Sequence, residues 1–534
     1  MHINLSWRNM MQNYLNTQKS HVNDPILGRE NDMAKNYAGG YVFTVTADTL
    51  LDRFLILGTC APTYYAKART LTTDALAQLV PIIKSNGVHV VQRIAEISTS
   101  GRAPNNDHAL FLLALCMKHG DDGTRRAAYD AVGAVSRTAT HHFHLAAAID
   151  GLKGWGRGTR RAMGNWYLDK NLPSLIYQVT KYRQRDGWTH RDVLRLAHPH
   201  TQNSAQNNVF KWITKGILEN GNAVELLRKF DEMQQASSED VVIHNVEEGW
   251  VSWEMIPTQF LGSKNVWEAL VRNGMPMTAL IRNLGRMTAN GTLVFGGDLV
   301  DLVCTQLTNA DYLHSARVHP YALLLALDTY GIGHGDKGKL TWGPLSRINE
   351  ALNEAFFMSF EMGEPSNENI MIGIDVSGSM DWSVSHIAGT HITSRMAAAT
   401  MAMATARTHK NCMAVAFTGN LTDIDLGSHR SVHDVCNQMA RMNAGTTNCS
   451  LPMTHALQHK FGFDKFIIYT DNETHHHAIH PAVALDMYCK GVRPAKLVVA
   501  AFVGSRFSIA DPKRSDMLDV VGFDSAAPRI ITEF

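Results

Sequence analysis

The sequence predicts a multidomain chain: a long α-helical part built of stacked helix pairs, then an α/β part with a doubly wound parallel sheet. Three observations carry this. A chain of 534 residues, 45% of them hydrophobic, exceeds what one core holds. Between residues 47 and about 360, apolar residues recur at i, i+3 and i+4, with Gly, Pro and Asn separating the segments. From residue 366 onward, short apolar runs alternate with helix-like stretches, the signature of a parallel sheet with crossover helices. The Gly- and Pro-containing stretch Glu361-Met362-Gly363-Glu364-Pro365-Ser366-Asn367 divides the two patterns and sets the expected boundary, with domains over 1–365 and 366–534.

In chain order, residues 1 to about 40 are polar and read as an irregular arm. The helical part follows, with Asp74-Ala75-Leu76-Ala77-Gln78-Leu79-Val80, Ala109-Leu110-Phe111-Leu112-Leu113-Ala114-Leu115 and Ala322-Leu323-Leu324-Leu325-Ala326-Leu327 as examples. Many short helices with little strand signal suggest pairs of the HEAT type, although no repeat signature stands out. In the α/β part the expected strands are the run ending at Ile374, the run ending at Val415-Ala416-Phe417, Phe466-Ile467-Ile468-Tyr469, the run 497–503, and a fifth at 529–531. A helix is expected over about 384–409.

The first of these strands opens onto Asp375-Val376-Ser377-Gly378-Ser379. A loop at the C-terminal edge of a parallel sheet is where α/β folds bind ligands. One carboxylate and two hydroxyls, each two residues apart, are hard oxygen donors suited to Mg²⁺ or another divalent cation. The plainer reading is a Ser-rich turn capping a helix. The downstream order favours the metal: the turn Gly445-Thr446-Thr447-Asn448 and the end of Tyr469-Thr470-Asp471 would bring a threonine and a second carboxylate to the same edge. The loop looks like the metal-binding loop of a von Willebrand A-type domain.

Lys+Arg number 50 and Asp+Glu 49, a net charge of +1, yet the charges are segregated. Residues 153–195 hold ten Lys/Arg against three Asp, and residues 219–254 hold nine Asp/Glu against two Lys/Arg. Within the basic stretch, Trp155, Trp166-Tyr167, Tyr182 and Trp188 interleave with Arg157, Arg160, Arg161, Lys181, Arg183, Arg185 and Arg191. Cations that neutralise phosphates beside planes that stack on unpaired bases are what a nucleic-acid surface needs. The competing reading is a solvated basic helix face, with each tryptophan a packing residue and His190 a cap or core histidine.

Seven scattered cysteines without a CxxC pair fit free thiols in a reducing compartment, and the expected location is cytoplasmic. No apolar run is long enough to span a membrane, so no membrane association is expected. His141-His142-Phe143-His144 and His475-His476-His477 lack zinc-like ligand spacing and read as polar loops. Gly331-Ile332-Gly333-His334-Gly335 follows a helix and not a strand, so it is a poor phosphate loop. With no GxxxxGK[ST], GxSxG or HExxH motif and no nucleophile–base set, an enzyme is not supported. A nuclease would need carboxylates for two metals, and only one metal site is visible.

With these residues in view, the chain resembles the Ro autoantigen family of TROVE-domain RNA-binding proteins. The likeness runs from Ala38-Gly39-Gly40-Tyr41 to the C-terminus. Its most distinctive stretches are Val179-Thr180-Lys181-Tyr182-Arg183-Gln184-Arg185-Asp186-Gly187-Trp188-Thr189-His190, Leu280-Ile281-Arg282-Asn283-Leu284-Gly285-Arg286-Met287-Thr288 and Tyr469-Thr470-Asp471-Asn472-Glu473-Thr474. The resemblance implies a HEAT-repeat-like helical ring plus a von Willebrand A domain, and a monomer. It implies binding of small noncoding Y-type RNA on a basic outer surface, with His190 contributing. Single-stranded 3′ ends of misfolded or structured RNA would enter a central hole, in RNA quality control alongside an exoribonuclease. The metal residues fall on Asp375, Ser377, Ser379, Thr447 and Asp471, with Thr446 as the fallback for Thr447. Two departures stand out: Asn448 replaces an acidic residue beside the metal, and Gly378 replaces an alanine that supplies no ligand. The alternative function is a metal-dependent protein-interaction scaffold to which RNA is incidental.

Overall fold

The computed structural model describes residues 21–36, 39–58, 68–218, 224–335, 339–381, 392–442, 445–474 and 479–534, with the side chains of 68–75 excepted. Two compact units emerge, each discontinuous in sequence: one comprises 1–79, 102–104 and 360–534, the other 80–101 and 105–359.

The first unit is the α/β part. Numbering strands along the chain, β1 (Met33–Lys35) and β2 (Tyr41–Thr44) precede the helical part, whose own strands are β3 (Gln184–Arg185) and β4 (Trp188–Thr189). The main sheet then takes β5 (Ser366–Asp375), β6 (His409–Phe417), β7 (Leu421–Asp423), β8 (Lys465–Thr470), β9 (Lys496–Ala501) and β11 (Met517–Val521), in the order β11-β9-β8-β5-β6-β7. All neighbours are parallel except the edge strand β7. Continuous burial of Ile370, Met371, Ile372 and Ile374, and of Phe466 to Tyr469, is what a sheet covered on both faces requires. Gly373 sits where a Cβ would meet Pro452 and Ile468 at 2.8 and 2.9 Å, so only glycine lets the flanking helix and strand approach.

The expected fifth strand is corrected. Residues 529–531 lie in the helix Ala527–Glu533, which Pro528 opens, and the fifth parallel strand is β11. Asp519 breaks the apolar run of β11 and hides it from a hydrophobicity reading. In the fold, fully buried Arg53 donates to both Asp519 oxygens at 2.8 and 2.7 Å and to Phe507 O at 2.8 Å. Arg53 belongs to the helix Ala47–Leu57, so the chain's early residues are part of this unit. Nor is the stretch 21–40 an irregular arm: β1 pairs with β2, and β2 pairs with β10 (Phe507–Ser508).

The second unit is helical and includes Asp107–His119, Ala139–Leu152, Arg157–Leu168, Leu172–Lys181, His190–Ala197, Met277–Ala289 and Pro320–Ile332. Its one hairpin among the described residues, β3–β4, turns through Asp186 (φ 50°) and Gly187 (φ 79°). An Asp-Gly pair with positive φ at both positions is the favoured two-residue hairpin connection. The first histidine tract is likewise corrected: 141–144 lies in the helix Ala139–Leu152, where fully buried His142 stacks on Trp166 at 4.3 Å. Residues 475–477 lie outside the described residues. Gly333 (φ 85°) ends the helix Pro320–Ile332 as a left-handed cap, which accounts for the glycine-rich stretch without a phosphate.

Candidate functional sites

The parallel register brings the acidic loop together. Asp375 ends β5 opposite Phe417 of β6, while Ile374 faces Tyr469 of β8, which sets Thr470 and Asp471 beside the loop. The Thr470 hydroxyl donates to Asp375 Oδ2 at 2.7 Å, and the Ser377 N–H donates to Asp375 Oδ1 at 2.9 Å. The Ser377 and Ser379 hydroxyls are 3.2 Å apart, and Ser379 bonds to Asp471, whose Oδ1 also accepts from Glu473 N–H at 3.0 Å. Asp375, Ser377, Ser379 and Asp471 thus form one hydrogen-bonded chain. Thr447 is buried in the loop 445–448 on the same edge, whereas Thr446 is exposed. Asn448 turns away: its Oδ1 accepts from Ser450 N–H and Oγ at 3.1 and 2.6 Å, at the start of the helix Leu451–His459.

The electrostatics suit a cation. Burial, and then the charge of Asp471, push Asp375 up to about 7, and burial raises Asp471 as well. Neither carboxylate is ion-paired among the described residues. Arg395, the nearest guanidinium in the network, instead donates to Asp381 at 2.8 Å, Val376 O at 2.8 Å and Ser377 O at 3.3 Å. Two buried carboxylates without a basic partner are costly unless protonated or bound to a metal. Among the described residues no cluster of three or more His, Cys, Asp or Glu could hold an ion, so the donor set is hydroxyls around two carboxylates. That set fits a hard divalent cation such as Mg²⁺ better than a metal that prefers thiolate or imidazole ligands. Sequence reasoning missed Thr470 and Arg395: one looks like the last residue of a strand, the other like an ordinary helix residue.

The basic segment is assembled by neighbouring elements. Arg157, Arg160 and Arg161 are exposed at i, i+3 and i+4 on one helix, and Arg191 is exposed on the helix His190–Ala197 packed against it. Arg183 and Arg185 are exposed on and beside β3. None of these six is ion-paired among the described residues. Trp155 and Trp188 stack at 5.7 Å beside them, whereas Trp166 is buried and donates to Ser136 O at 2.6 Å.

Lys181 and His190, read from the sequence as surface contacts, lie inside. The Lys181 side chain is 8% exposed, bonded to Tyr177 Oη at 3.0 Å and 3.9 Å from Glu254. His190 is 4% exposed. Its Nδ1 accepts from Tyr167 O–H at 3.0 Å, and its Nε2–H donates to Tyr182 O at 2.9 Å. Both ring nitrogens are used, the tautomer is fixed, and burial pushes the imidazole down to about 4. His190 therefore positions the chain entering the hairpin and does not face solvent. The missed hairpin had a signal, Asp186-Gly187, and so did the helix start: Thr189 and Asp192 form a reciprocal cap.

A TROVE domain matches residues 34–249 and 247–331, and a Ro60 vWA domain matches 369–534. The RNA-binding protein RO60 of Deinococcus radiodurans is 36% identical over 506 residues, 94% of either chain. The RNA-binding protein RO60 of Caenorhabditis elegans is 32% identical over 580 residues, covering 94% of this chain and 89% of that one. The crystal structure of the Deinococcus radiodurans RO (RSR) protein superposes with a TM-score of 0.69 at 34% identity, covering 91% of this chain and 99% of that one. The helical part plus the von Willebrand A domain expected from the sequence is the architecture found.

Proposed function

This chain belongs to the TROVE-domain Ro60 family, and we propose that it is a non-catalytic RNA-binding protein. The observation that carries the reading is the set of exposed arginines on adjacent elements of the helical unit, without ion pairs among the described residues, beside the Trp155–Trp188 stack. Such a face attracts phosphates, and stacked aromatics suit splayed bases. The finer reading is a small noncoding Y-type RNA on this face, with unpaired 3′ ends of misfolded RNA held in a central hole of the helical part. The cell would use it in RNA quality control beside an exoribonuclease. Selectivity would follow shape, since phosphate contacts position an RNA without reading its sequence. The protein would act as a cytoplasmic monomer.

The domain over 366–534 adds a divalent-cation site. Asp375, Ser377, Ser379 and Asp471 would hold Mg²⁺, with Thr447 completing the set. The bound ion would supply an open coordination position for a carboxylate of a protein partner. The fit of these donors also favours a second reading, a metal-dependent scaffold in which RNA is incidental.

Gel shifts with structured RNA, with and without a single-stranded 3′ tail, separate the two. Tail-dependent binding by the wild type, weakened in Arg157/Arg161/Arg191→Ala, supports the RNA reading. Equal and weak binding by both proteins leaves the scaffold.

A further inference from the structure

The helix Ser394–Ala406 packs against β5, the short turn Gly378–Asp381 and the helix Val432–Ala440. Arg395 stands in its first turn and is 3% exposed, so its guanidinium lies inside the α/β unit. Each partner of that guanidinium among the described residues belongs to a segment that carries the acidic site or leads into it. Nη2 donates to Val376 O at 2.8 Å, Ser377 O at 3.3 Å and Asp381 Oδ2 at 2.8 Å. One nitrogen thus gathers both ends of the loop that holds Ser377 and Ser379. Nη1 donates to Met439 O at 3.2 Å and Met442 O at 3.4 Å, at and just past the end of Val432–Ala440, before the chain reaches Thr447. The Nε–H has no partner among the described residues. A buried guanidinium with one N–H unpartnered adds little to stability compared with an apolar side chain of similar volume.

We propose that Arg395 is the positioning residue of the cation site. Its planar fork ties the loop from Asp375 to Asp381 to the segment 439–442 before a metal arrives, and so sets the affinity of the site. The inference rests on the divalent-cation reading above and gives a role to a residue that supplies no ligand. Acceptors converging on two nitrogens fix an angle as well as a distance, which a guanidinium matches and a lysine ammonium does not. With the loop ends tied, the Ser377 and Ser379 hydroxyls stand 3.2 Å apart and Asp375 keeps its bond from Ser377 N–H. The sign of the effect separates this role from electrostatics alone. A nearby positive charge repels a cation, so removing it would tighten binding if the loops kept their shape. Lost positioning weakens binding, by about 10–100-fold for residues that orient metal ligands.

The test is titration of the full chain with Mn²⁺, which shares the oxygen preference of Mg²⁺, read from the electron paramagnetic resonance of the free ion and reversed by Mg²⁺. Arg395→Lys and Arg395→Met should both bind about 10–100-fold more weakly than the wild type. Arg395→Lys at wild-type affinity, or Arg395→Met tighter than the wild type, would overturn the inference and leave a charge effect. Unchanged affinities in both variants, with a lower thermal midpoint of the metal-free protein, would also overturn it and confine Arg395 to the fold. Should neither variant fold, exposed Asp381 decides. Asp381→Asn keeps an acceptor for the guanidinium, so Asp381→Ala should bind Mn²⁺ more weakly than Asp381→Asn. Equal affinities for those two would overturn the inference. A wild type that binds no Mn²⁺ overturns the cation site itself, and the role of Arg395 with it.

Discussion

At the scale of single residues, the informative side chains are those that a binding surface needs but does not display. His190 is held neutral at about 4 by burial, whereas an unfolded imidazole titrates near 6.5. Between those values the unfolded chain binds the extra proton, so stability is complete above about pH 6.5 and falls as pH drops toward 4. His141, also pushed down to about 4 by burial, adds to the same loss. A series of urea midpoints against pH should show this fall, and His190→Gln should flatten it. Identical slopes for the two proteins would contradict the buried neutral imidazole. The same substitution should weaken RNA binding less than Arg157/Arg161/Arg191→Ala, because His190 acts only through Tyr182 and the hairpin. For the acidic loop, Mg²⁺ at about 100 times its Kd should stabilise the wild type by about 2.7 kcal/mol. Thermal unfolding should show no such shift for Asp375→Ala, and RNA affinity should be retained by that variant. A Mg²⁺ response that survives the substitution would move the cation elsewhere.

At the scale of elements, two features decide whether the sites exist at all. One is the turn-and-cap pair around the hairpin, where Asp186-Gly187 sets the register of β3 against β4 and Thr189 with Asp192 starts the next helix. Both were legible in the sequence as short local signals, since turn and cap chemistry depends on neighbours a few residues away. The other is the attachment of the helix Ala47–Leu57 to β11 through Arg53. A fully buried guanidinium that loses its carboxylate, or a carboxylate that loses its guanidinium, costs about 3–5 kcal/mol. Asp519→Ala should therefore lower the stability of the α/β unit by about that amount in urea unfolding. Little change would mean that Arg53 is held by the carbonyls alone. This pairing was invisible beforehand, because its partners are 466 positions apart and the charge in β11 makes that strand look unlike its neighbours.

At the scale of the whole molecule, charge is the organising quantity. The near-neutral total conceals a basic stretch in which six exposed arginines, on one set of neighbouring elements, have no ion pair among the described residues. If about 6 phosphates are neutralised there, affinity should fall roughly several hundredfold to two thousandfold between about 50 and 200 mM salt. A shallow salt dependence would shift weight to stacking and shape. The amino-acid order by itself determined the two kinds of architecture, the boundary pattern near 365, the acidic loop and the basic stretch. Each of these is written in local periodicity, spacing or composition. Tertiary structure alone decided that early residues join the sheet through β2 and Arg53. It also decided that Thr470 completes the hydrogen bonding of Asp375, and that Lys181 and His190 lie beneath the surface that Arg157, Arg161 and Arg191 display. The physical reason is that burial and long-range pairing are properties of what packs against a residue, and the periodicity of its own segment says on which element it lies but not what covers it.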